Sequence, residues 1–128
     1  MAGERIETPD APSGLPYYSQ AVKAGDWIFV AGTIGVDPST GKLAGPGIEE
    51  QARQALTNCR SILRAAGADL SDVVDVHQLL LNPEDADAFN DVYLTFFPED
   101  PPARCVSKLG VNRPGILISV KMTAFVGA

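Results

Sequence analysis

Across residues 116–126 the chain alternates. Ile116, Ile118, Val120, Met122 and Ala124 fall on one side of an extended strand, and Leu117, Ser119, Lys121, Thr123 and Phe125 on the other. The first side is wholly apolar, and the second is only half polar. An earlier stretch, 27–36, behaves alike: Ile28, Val30 and Ile34 share one side, while Trp27, Phe29 and Ala31 share the other. A sheet with two apolar faces needs a cover on each. Only two helical segments are visible in the chain, enough for one face, so the other is expected to be buried by self-association into a homo-oligomer.

The first helix is expected over 48–66, where Ile48, Ala52, Ala55, Leu56, Cys59, Ile62, Leu63 and Ala66 recur at three- and four-residue steps. Glu49 and Glu50 suit the positive end of its dipole, Arg64 suits the last turn, and Gly67 suits the position just beyond. A second helix is expected over 84–97, with Ala86, Phe89, Val92, Tyr93 and Phe96 on one side. Asn82-Pro83 marks its start and Pro98 its stop. Strands are expected over 27–36, 73–81 and 116–126, with weaker ones at 19–23 and 104–111 and an edge at 5–8. The order β-β-β-α-β-α-β-β describes an α+β fold, a single mixed sheet with two crossover helices on one face, in one domain spanning 1–128.

Ten Lys and Arg against sixteen Asp and Glu give a net charge of −6, and the cations are scattered. Nucleic-acid binding draws on clustered Lys and Arg, so no nucleic-acid partner is expected. No apolar run approaches the ~20 residues of a membrane span, and the opening MAGERIETPD lacks a secretory pattern. Cys59 and Cys105 have no metal-ligand spacing and are expected to be reduced, buried and inert in a cytoplasmic protein. One histidine, His77, can build neither a triad with a second imidazole nor a multi-histidine metal site, and a structural role is expected for it. The stretch GVDPSTGKL, residues 35–43, approaches a phosphate loop but has five residues between its glycines and Leu43 where Ser or Thr belongs. It reads as a hairpin loop, with Asp37, Pro38 and Gly41 in turn roles.

Arg104 follows Pro101-Pro102-Ala103 at the opening of a strand. A guanidinium so held can clamp a carboxylate through two parallel hydrogen bonds, or it can serve a surface or intersubunit ion pair.

The stretches PYYSQAVK (16–23), the strand 24–36 with its DPSTGKL, IEEQARQALTNCRSIL with AAGADLSDVV, AFNDVYLTFF and PPARCV resemble the RidA (YjgF) family of enamine/imine deaminases in order and spacing, from about Gly14 onward. The resemblance implies a chorismate-mutase-like fold assembled as a homotrimer, with three intersubunit clefts and no metal or organic cofactor. It implies hydrolysis of 2-aminoacrylate and 2-iminopropanoate to a 2-keto acid and ammonia. Position by position, it assigns the substrate carboxylate to Arg104, the cleft wall to Tyr18 (with Tyr17 the neighbouring alternative), a helix contact to Asn90, and backbone contacts to Cys105 and Val106.

Two positions depart from the family pattern. Ala31 stands where SGQI usually carries serine. Counting from Arg104 without a gap places Ser119 at the glutamate credited with positioning or activating the attacking water, and Lys121 at the second acid of the E-I-E pattern. A hydroxyl there can hold water but is a feeble base. The expectation is therefore deaminase activity reduced or altered at Ser119; Lys121 reads first as a solvated or intersubunit lysine, with a further anion contact as its alternative. The alternative is a trimer that binds small 2-keto acids without turnover.

Overall fold

The computed structural model, which describes residues 1–110 and 113–127, folds the alternating segments into one six-stranded sheet. Its strands are β1 (Glu4–Ile6), β2 (Ala21–Ala24), β3 (Trp27–Ile34), β6 (Val73–Leu80), β7 (Ala103–Lys108) and β8 (Ile118–Phe125), in the spatial order β1-β2-β3-β8-β6-β7. All pairs are antiparallel except β6 with β7. A parallel pair needs a crossover, and α2 (Ala86–Phe96) supplies it. The longer helix α1 (Ile48–Ala65) carries the chain from β3 to β6, over the intervening β8. The expected hairpin around DPSTG forms from β4 (Val36–Asp37) and β5 (Lys42–Leu43), with Asp37 Oδ1 accepting from Ser39 N at 2.9 Å.

The apolar periodicities converge where expected. Ile118, Val120, Met122 and Ala124 lie buried beneath the helices with Leu56, Ile62, Leu63 and Phe89, while Ile116 is buried outside that cluster. Each large side chain so buried contributes about 1.5–3 kcal/mol. Gly67, just past α1, adopts φ 85°, the left-handed conformation that ends a helix without steric cost. Two buried polar residues on α1 were not foreseen. Gln51 donates to Gly45 O and Gly115 O and accepts from Leu117 N, and Asn58 donates to Ile34 O and Val36 O. They stitch the helix to the segments entering β8 and leaving β3.

Three expectations need correcting. The strand expected over 27–36 ends at Ile34, because the register of β3 on β8 shifts between Val30 and Thr33. This bulge at Ala31-Gly32 turns Thr33 toward the helices and Ile34, paired with Ser119, toward the open face. The second helix begins as a 3-10 turn at Pro83–Asp85 and is α-helical only from Ala86. Cys105 is exposed in the protomer, because β7 is an edge strand with all six residues exposed. Cys59 is buried as expected, and burial pushes its thiol pKa up to about 12. Val111, the expected end of the strand from Arg104, and Asn112 of the NRPG stretch lie outside the described residues.

The helices cover one sheet face only. On the other, Trp27 and Phe29 are each 43% exposed, and Trp27 stacks on Phe125 with ring centroids 4.8 Å apart. No helix of the described residues is long and apolar enough to cross a membrane.

Candidate functional site

Two separate hollows divide the expected site residues. In the first, the bulge at Ala31-Gly32 opens the wall of the sheet where β3 meets β8. Tyr18, Ala31, Gly32, Ile34, Arg113 and Ser119 surround a cleft of about 340 Å³ there. Thr33 Oγ1 donates to Ala31 O at 2.7 Å and Ala31 N donates to Gln20 O at 2.9 Å, so the bulged backbone is held from both sides. Gly32 leaves the cleft open: a Cβ at this position would sit 3.0 Å from Ser119 Oγ. Of the tyrosine pair, Tyr18 lines the cleft and Tyr17 projects outward, 91% exposed.

The second hollow lies at the opposite edge. Arg104 opens β7 with its side chain on the helix side, where Nη1 donates to Asn90 Oδ1 at 2.9 Å and the guanidinium lies 4.6 Å from the centre of the Tyr93 ring. Pro101, Pro102 and Leu94 complete the walls. Burial raises the Tyr93 phenol pKa while the Arg104 charge lowers it, and the Tyr93 hydroxyl has no partner among the described residues. The one ion pair among the described residues is Arg64–Asp69, so Arg104 is oriented by a neutral amide and an aromatic face, with no internal carboxylate. A guanidinium held this way keeps its outer N–H donors for an anion.

Ser119 and Arg104 do not meet in one protomer. Arg104 pairs with Val76, which pairs with Met122, three residues beyond Ser119. Strand spacing then puts the two Cα atoms roughly 14 Å apart, and their side chains leave opposite faces of the sheet.

Cys105 and Val106 line neither hollow. The outer edge of β7 is nevertheless unpaired, so their region carries backbone N–H and C=O groups open to a ligand or another chain. Lys121 also lies outside both, its Nζ donating to Val30 O at 3.4 Å beside the bulge. His77 sits on the open sheet face, hydrogen-bonded through Nε2 to Ser107 Oγ at 2.8 Å. Arg113 was missed entirely. It stands in a Pro- and Gly-containing turn, where nothing local marks a cleft residue.

A family model described as Endoribonuclease L-PSP matches residues 8–126. The 2-iminobutanoate/2-iminopropanoate deaminase of Rattus norvegicus is 39% identical over 122 residues, covering 95% of this chain and 89% of the relative. Among solved structures, RidA from the Antarctic bacterium Psychrobacter is similar with a TM-score of 0.90 at 32% identity, covering 96% of this chain and 99% of that one. TdcF of E. coli, with bound serine, has a TM-score of 0.90 at 28% identity, covering 97% and 99%.

Proposed function

Because the chain belongs to the RidA (YjgF) family, we propose that it hydrolyses small 2-imino acids to 2-keto acids and ammonia, at clefts completed between protomers of a homotrimer of the chorismate-mutase-like type. The observation that carries this reading is the free outer edge of the Arg104 guanidinium, positioned by Asn90 and Tyr93 and unpaired with any described carboxylate. The serine bound to TdcF and the imino acids in the name of the rat relative share the α-carboxylate such a group would grip.

The two hollows explain why association would be needed. Each protomer carries Arg104 and Asn90 at one edge and Tyr18, Gly32 and Ser119 at another place. A neighbour docking its open face and β7 edge brings one half-site against the other, and it covers Trp27 and Phe29 in doing so. In the assembled cleft, Arg104 fixes the carboxylate and so presents the imine carbon to the Ser119 wall. Water adds to that carbon, its protons pass to nitrogen, the C–N bond breaks, and ammonia leaves with the ketone formed. The Ser119 hydroxyl holds the water without acting as a base, so rate enhancement rests on positioning.

A second reading, carboxylate binding without turnover, is favoured by one observation: among the described residues no Asp or Glu lines either hollow. RNA cleavage, which the family description names, is disfavoured by the net charge of −6 and by His77 lining neither hollow. The test generates 2-iminopropanoate in situ with an amino-acid oxidase and follows pyruvate release. Acceleration by the wild-type protein is the expected result. Calorimetric binding of pyruvate with no acceleration would overturn catalysis in favour of the binding reading.

A further inference from the structure

We propose that Arg113 makes this cleft selective for imino and keto acids that carry a second carboxylate; the inference rests on the deaminase or carboxylate-binding reading of the same site. Arg113 lines the cleft with Ser119 and Tyr18, and also the adjoining hollow, which runs from Ala31 and Gly32 toward Pro12 and Pro38. Among the described residues no Asp or Glu lines either wall, the nearest acid being Glu7, which accepts from Ser13 and Gln20 behind the adjoining hollow, and Arg113 is the one formally charged lining residue. In a chain with sixteen acids against ten bases this is a local reversal of sign. A concave surface lined by a single cation, as the Ser119 cleft is, concentrates anions.

The position of Arg113 is built. Its carbonyl accepts from Ile116 N at 3.4 Å, closing a turn whose next residues are pinned to the buried Gln51 side chain, through Gly115 O at 2.8 Å and Leu117 N at 2.9 Å. Arg113 itself is exposed and forms no ion pair among the described residues.

Arg113 and Arg104 belong to different half-sites, so the two guanidinium groups approach a bound molecule from different walls. The α-carboxylate on Arg104 points the rest of the molecule toward the wall of Ser119 and Arg113. Ile34, Leu109 and Ile116 on that wall suit a short methylene stem, and Arg113 suits a charged terminus. An alkyl end placed there would desolvate the guanidinium without pairing it, so the same residue attracts the diacid and rejects the monoacid.

Two acids of equal length, 2-oxoglutarate and 2-oxopentanoate, separate these effects by calorimetry on wild type, Arg113→Gln, Arg113→Lys and Arg104→Ala. Wild type is expected to bind 2-oxoglutarate about ten- to a hundredfold more tightly than 2-oxopentanoate, the effect of one charge-assisted contact. Arg113→Gln should bring the two acids within about twofold of each other, by weakening 2-oxoglutarate binding and relieving the penalty on 2-oxopentanoate, and Arg113→Lys should retain part of the preference. The preference should shrink at high salt, since Arg113 is exposed. Equal affinities in wild type, or a preference that survives Arg113→Gln, overturns the inference and leaves the Arg104 site standing. Undiminished binding of both acids to Arg104→Ala overturns the underlying reading, and this inference with it.

Discussion

Arg104→Ala is expected to lower kcat/KM for 2-iminopropanoate by about a hundredfold and to remove measurable pyruvate binding, without change in Tm. A charge-assisted bidentate contact contributes about 1.5–3 kcal/mol, up to roughly a hundredfold, and here it also orients the reacting carbon. Because Arg104 lies on an exposed edge strand and holds no internal ion pair, its loss leaves no buried charge behind. Arg104→Lys should recover only part of the activity, since a point charge cannot reproduce the planar fork. Full activity in Arg104→Ala would place carboxylate recognition elsewhere.

Ser119→Glu is expected to raise kcat by about ten- to a hundredfold, the lower part of the range for a positioned acid/base group. The room for it exists because residue 32 is glycine: Ser119 Oγ already approaches to 3.0 Å the place a Cβ would take. A carboxylate at 119 would also share its wall with Arg113. Pairing between them would weaken any preference for diacids while the rate for monoacids rose. That coupling distinguishes a true gain of a catalytic acid from a nonspecific change in the cleft. An unchanged rate in a folded oligomer would show that residue 119 does not face the reacting carbon.

Much of the fold was legible because it rests on periodicity. The three- and four-step pattern of α1 and the alternation of β8 appear in the structure within two residues of their expected ends. The bulge was not legible, because Ala31-Gly32 breaks the alternation by a change of register that the residue types permit without requiring. The buried roles of Gln51 and Asn58 were not legible, since their partners are backbone groups far away in sequence. Cys105 was misplaced because cysteine usually favours interiors, whereas the order of strands puts β7 at the edge. Arg104 could be singled out from its place at a strand opening, and Asn90 and Tyr18 from the family resemblance. Their division between two hollows required the strand order, which no local pattern supplies.

The account stands on a site shared between protomers, and subunit mixing tests it most directly. Arg104→Ala removes one half-site, and Gly32→Leu fills the other. Each variant alone should assemble and be inactive. Denatured together and refolded, they should recover about a quarter of wild-type activity, since random co-assembly in a ring pairs an intact Arg104 edge with an intact Gly32 cleft at one junction in about four. A mixture no more active than its separate components, from oligomers shown to contain both chains, would contradict the shared site.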